Sequence, residues 1–265
     1  MIWTLTLAAA LYLIGLLHSL FGFYQKRPIF MRLALGMVAS AFLFHTLFLL
    51  WIGFTRRHFP ITNLPESLSF FAWCITLTFM LASRYRINAL GAFTLPLISG
   101  LTIVSQVVWE EHHIIPLPLQ SGWVYFHAGV AFLAYAAFFL TFLFAAFYLI
   151  QEKKLKGKHF RFLYFRLPPL QLCDRISGRF LYLGFAAMSL TIVSGAIWAE
   201  QVWGRFWNWD PKETATLISW CIYLFLIHYR LSGSWRAKRA AYISILGFAS
   251  VLVTFGVNWG LHAFL

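Results

Sequence analysis

Eight mostly apolar runs set the terms for this chain, approximately residues 3–24, 33–54, 67–83, 89–108, 122–150, 179–200, 211–229 and 240–263. A bilayer core of roughly 30 Å takes about 20 apolar residues per helix, and each run meets or approaches that length. Of the residues, 61% are hydrophobic and only 11% charged, with a mean hydropathy of +0.74, more apolar surface than a water-soluble domain could cover. The sequence therefore predicts an all-α fold. It is a polytopic membrane helix bundle of about eight transmembrane helices, forming a single integral membrane domain over residues 1–265. The third run is short and the fourth carries Pro96 and Gln106, which makes these two the least regular spans.

The segments between the runs sort by charge. Residues 25–32, 84–88, 151–179 and 230–239 hold 17 of the 21 Lys and Arg residues, and the alternate segments hold only Arg56, Arg57, Arg205 and Lys212. By the positive-inside rule the first set is cytoplasmic and both termini face outward. Glu66, Glu110, Glu111, Glu200, Asp210 and Glu213 all fall at outer ends, in agreement. The formal charge of +13 is thus mostly topology, and nucleic-acid binding is not needed to explain it. The long basic segment 151–179 reads as a connector lying on anionic headgroups of the lipid bilayer. Lys26 and Arg27 follow the first run and no basic flank precedes it, the pattern of a retained span instead of a cleaved signal peptide. Cys74, Cys173 and Cys221 form no CxxC pair, so a disulfide framework is not expected.

One external loop, 201–213, is unlike the rest. From Trp203 to Glu213 it reads Trp-Gly-Arg-Phe-Trp-Asn-Trp-Asp-Pro-Lys-Glu. Asp210 can cap the seventh helix, Pro211 suits its first position, and Glu213 stands where a capping box places an acid. Tryptophans concentrate at membrane interfaces, which accounts for scattered ones such as Trp51, Trp109 and Trp123. Three within seven positions, mixed with glycine, asparagine and a cap, are equally the makings of a cofactor site.

Nine histidines divide by depth. His127 lies about one turn into the fifth run from its outer end and His262 at the outer end of the eighth, so both reach the level of the Trp-rich loop. His228 is at the inner end of the seventh run, His18 in the inner third of the first, and His45 nearer the middle of the second. His58, His112 and His113 fall in outer segments and His159 in the basic one. An intramembrane histidine either binds something or is a neutral imidazole hydrogen-bonded to a neighbouring helix. The pair His127 and His262 leans toward the first reading. Two imidazoles suit Zn, Cu or Fe, and the absence of a carboxylate or thiolate cluster in the sequence around them argues against hydrolytic zinc. Haem fits this aromatic setting best: histidines on the iron, indole and phenyl faces under the ring, Arg205 or Lys212 for the propionates. The spacing alone does not name it.

At this point WGRFWNWDPKE resembles the WWD signature of haem-handling cytochrome c biogenesis proteins, and its DPKE ending resembles the CcsA (ResC) family of the system II pathway. HFPITNLPESL at 58–68, His127 with AGVAFLAYAAF, DRISGRFLYLGF at 174–185, GAIWAE at 195–200, His228-Tyr-Arg and GVNWGLHAF at 256–264 are similar to that family as well. System I relatives share the Trp-Gly…Trp-x-Trp-Asp core but typically lack the Pro-Lys-Glu continuation. Pro65, Ala215 and Ala263-Phe264 depart from the family's usual residues without removing a proposed ligand.

The resemblance implies that His127 and His262 are external ligands to haem iron. It makes Trp203, Gly204, Trp207, Trp209 and Asp210 a haem-binding loop, with Arg205 beside it, and His228 a transmembrane haem ligand. It further implies haem b as cofactor, a separate CcsB (ResB)-like membrane subunit as partner, and apocytochrome c with its CxxCH motif as acceptor. The function implied is a subunit of a thioether-forming cytochrome c synthase in the plasma (inner) membrane of a bacterium. No acid–base residue is assigned to the chemistry. A haem transporter without ligation activity and a HemX-like regulatory or scaffold protein are the other readings. An internal His18–His228 pair could stand in for a partner's ligand at the inner site.

Overall fold

The computed structural model describes residues 2–109, 121–158, 162–232 and 237–256. Among them are eight α-helices and no strand: α1 (Ile2–Gln25), α2 (Pro28–Arg56), α3 (Leu64–Ser83), α4 (Asn88–Val107), α5 (Gly122–Lys156), α6 (Leu170–Trp203), α7 (Pro211–Leu231) and α8 (Ala237–Gly256). All eight contain a stretch long and apolar enough to cross a membrane. The chain is an integral membrane protein.

Two helices outrun their apolar cores. α5 continues past residue 150 to Lys156, because Gln151–Lys156 are strong helix formers and Lys153, Lys154 and Lys156 lie where cations favour a helix C-terminus. α6 begins at Leu170, directly after Pro168-Pro169, well before the apolar run opens at 179. Its charged first turns are held by the buried residues Cys173, Ile176, Ser177 and Phe180. Hydropathy marks the lipid-thick part of such helices, whereas capping and packing decide their ends. The eighth run was predicted to reach residue 263; its part beyond 256, His262 included, lies outside the described residues.

The helices fall into two compact units, α1–α4 and α5–α8. In the first, α1 packs along α2 and α4, and α3 against α4 and α2. His45 is wholly buried there, its Nε2 2.8 Å from Ser69 Oγ and its Nδ1 3.4 Å from the Tyr12 hydroxyl, which in turn accepts from Thr76 Oγ1 at 3.2 Å. Every polar atom in that chain serves another, the arrangement that lets an imidazole sit among helices without a ligand. α3 is capped by Asn63, whose side chain accepts the Glu66 N–H at 2.9 Å, while Glu66 Oε2 reaches back to accept from Thr62 N and Oγ1 at 3.0 and 2.9 Å.

In the second unit α5 runs along α6, α8 packs on α5 and α7, and α7 on α6. Only Ser219, Tyr223 and Leu226 of α7 are buried. Arg230, at its far end, donates from Nη2 to Asp174 Oδ1 at 2.8 Å and to the Asp174 carbonyl at 3.0 Å, tying that end to the start of α6. This unit carries the candidate site.

Candidate haem-handling site

Trp203 is the last residue of α6, and the chain leaves the helix through Gly204 at φ 67°, ψ 21°. That left-handed conformation strains any residue with a Cβ, which gives a physical reason for glycine directly after the tryptophan. Its N–H closes on the Glu200 carbonyl at 2.8 Å. Arg205 and Phe206 are exposed. Trp207 and Trp209 meet edge to face, centroids 5.8 Å apart at 81°. Trp209 also adopts a left-handed backbone, φ 57°, and is 70% exposed.

The far end of the loop is pinned as well. Asp210 caps α7, its Oδ1 accepting the Glu213 N–H at 2.8 Å, and Pro211 fills the first turn. The Glu213 carboxylate reaches back into the loop to accept the Asn208 N–H at 2.8 Å. The expected cap is therefore present, and its acid extends into the loop as Glu66 does before α3. Two donors between the pinned ends, Trp207 Nε1 and Asn208 Nδ2, are buried without a hydrogen-bond partner among the described residues. Each such group costs about 1–3 kcal/mol, which a ligand bringing acceptor oxygens would recover. Exposed aromatic faces beside unsatisfied N–H donors suit a flat apolar molecule that carries an acidic group.

His127 is half-buried in the second turn of α5. Its Nδ1 lies 2.9 Å from the Thr191 carbonyl of α6. A carbonyl can only accept, so Nδ1 carries the proton and the lone pair sits on Nε2. That is the tautomer a metal-ligating histidine needs, with the orienting bond from its other nitrogen. Trp198 stacks near the ring, centroids 6.3 Å apart and 24° between planes, and Trp198 meets Trp203 edge-on at 4.9 Å. Val124, Tyr125 and Val202 pack around this group. The fold thus joins His127 to the first tryptophan of the loop through Trp198.

The other sequence candidates are placed apart. His228 is exposed in the last turn of α7, roughly 27 Å along the helix from Asp210. At 100° per residue, Ser219, Tyr223, Leu226 and Arg230 share the packed side of α7, and His228 stands opposite them with Cys221, Leu224 and Phe225. His18 belongs to the other unit and donates from Nδ1 to the Ile14 carbonyl at 2.8 Å, which also leaves the lone pair on Nε2. Sequence reasoning had no role for Thr191, Gly195 or Trp198, although the last two stand in the GAIWAE segment. A glycine among bulky residues in a long span was the available sign of close helix approach.

Comparison with known proteins places the chain in a family. The family model described as Cytochrome C assembly protein matches residues 61–262. The Cytochrome c biogenesis protein CcsA of Mesostigma viride is 31% identical over 260 residues, covering 87% of this chain and 85% of the relative. That of Guillardia theta is 34% identical over 234 residues, covering 78% and 77%. That of Prochlorococcus marinus (strain MIT 9215) is 32% identical over 282 residues, covering 95% and 90%. A match running from just before the α3 cap, through the Trp-rich loop, to His262 makes this chain a member of the cytochrome c assembly protein family.

Proposed function

We propose that this chain acts in cytochrome c biogenesis as a CcsA-type synthase subunit, binding haem and presenting it for covalent attachment to apocytochrome c. The observation that carries the reading is the His127 Nδ1–H bond to the Thr191 carbonyl, which aims a basic Nε2 from a ring already joined to the Trp-rich loop. The loop's exposed Phe206 and Trp209 and its buried donors Trp207 Nε1 and Asn208 Nδ2 support haem as the molecule received. Haem b is the cargo, because its vinyl groups supply the carbons to which cysteine sulfur is joined. Each thioether forms when one S–H of the CxxCH motif adds across one vinyl C=C, consuming no oxidant or reductant. This chain's part is to bind, orient and shield. His127 and His262 are the residues that would hold the haem iron, and holding it would shield it from dioxygen until the acceptor takes it.

The Lys and Arg distribution supports a loop and termini on the outer face of the membrane. His228, turned away from the packed side of α7, suits an inner site. Its second ligand comes from a CcsB (ResB)-like subunit. The test is an absorption spectrum of the protein purified with its partner: a low-spin haem signal, its outer-site component lost or made imidazole-dependent in the His127→Gly, His262→Gly double variant. An unchanged spectrum in that variant would overturn the ligand assignment. Loss of holocytochrome c in a deletion strain that still exports apocytochrome separates synthase from transport alone.

A further inference from the structure

His127 reaches α6 only because residue 195 has no side chain. A Cβ built on Gly195 would stand 2.7 Å from both Cε1 and Nδ1 of the His127 ring, closer than real Cβ contacts come. Helix geometry explains the conflict. Cα–Cβ bonds tilt toward the helix N-terminus, so the side chain at one position lies over the turn before it, near the carbonyl four residues back. Four residues before Gly195 is Thr191, whose carbonyl accepts the His127 proton at 2.9 Å. That carbonyl already receives the helical N–H of residue 195 on one lone pair. Its other side, which the Ser194 hydroxyl also approaches at 3.1 Å, is open to the imidazole only while position 195 is bare. Thr191, Gly195 and Trp198 therefore form one seat on one face of α6, at spacings of four and three: an acceptor, a gap and a stacking wall.

We propose that Gly195 is a positioning residue for the haem ligand, setting the tautomer and aim of His127 without touching haem itself. This rests on the ligand reading of His127 above. Other glycines of the unit make equally tight approaches: a Cβ on Gly184 would meet Phe138 at 2.7 Å. That one faces a core ring with no ligating atom, which makes it a control of matched steric severity.

The experiment compares Gly195→Ala, Gly184→Ala and His127→Gly, singly and with Gly195→Ala combined with His127→Gly. Two readouts are taken, haem titration of the purified complex and nitrogen-15 spectra of histidine-labelled, haem-free protein. Loss of an orienting partner of a ligating histidine typically costs 10–100-fold in affinity. Gly195→Ala is expected to weaken haem binding by about that factor and to shift the His127 resonances away from the Nδ1-protonated pattern. It should add nothing, within about twofold, once His127 is already glycine. Gly184→Ala should lower stability yet leave the His127 resonances in place. Wild-type resonances and affinity in Gly195→Ala would overturn the proposal, as would an equal loss with and without His127. Normal haem binding in His127→Gly would instead overturn the ligand reading, and this proposal with it.

Discussion

The tie between Arg230 and Asp174 sets which way His228 faces, and its removal has a calculable effect. Arg230 is 9% and Asp174 17% exposed at the side chain, so the pair is largely out of water. Replacing Arg230 with Leu strands a carboxylate there and removes the donor of two bonds, at 2.8 and 3.0 Å. Removing one partner of a buried pair costs about 3–5 kcal/mol, and the partial exposure puts this case near 3. Asp174→Asn keeps an acceptor oxygen and the backbone bond, losing mainly the charge, so about 2 kcal/mol is expected, within the range for hydrogen bonds to charged groups. Because residues two apart project about 200° from each other on a helix, holding Arg230 inward is what turns His228 outward. The assay is reversible unfolding in detergent for the two single variants and the double, alongside inner-site haem in a background lacking His127 and His262. The variants should couple, the double costing less than the sum, with inner-site haem reduced most in Arg230→Leu. Additive effects, or a loss below about 1 kcal/mol for Arg230→Leu as for an exposed pair, would refute this account.

Two further outcomes follow from the geometry. Gly204→Ala meets no atom within 4 Å, so its cost is purely that of a left-handed alanine, about 1–2 kcal/mol, and Gly204→Asn should cost less; thermal unfolding ranks the two. His45→Phe leaves Ser69 and Tyr12 without their imidazole and should destabilise by about 1–3 kcal/mol while leaving the haem spectrum unchanged. A bleached spectrum in that variant would mean that His45 was wrongly sorted as structural.

Much of the fold is legible in the sequence, and the reasons are physical. Bilayer thickness fixes helix length, so apolar run length alone gave eight helices. The Asp210 cap and the Gly204 turn follow from local backbone chemistry, which neighbours in sequence determine. What escaped were contacts between helices. Nothing near Gly195 in sequence says that an imidazole 68 positions earlier lies against it, and Trp198 looked like one more interface tryptophan. His18, His45 and His228 were alike as intramembrane histidines. Burial separates them: His45 is enclosed by hydroxyls, and His228 stands on the open side of its helix. The Glu66 and Glu213 caps share a further likeness, each acid reaching past its own helix into the loop before it, which a motif reading limited to the cap positions does not reveal.

Trp209 holds a large ring out in the open on a backbone that glycine would adopt more readily. A left-handed tryptophan costs roughly 1–2 kcal/mol. Natural variation that favoured durability alone would drift toward glycine or asparagine at this position, since both relax the turn. An indole here costs the fold more than either of those residues would. A campaign to stabilise this protein by screening for resistance to heat would therefore select away this exposed indole, and would score the loss as success.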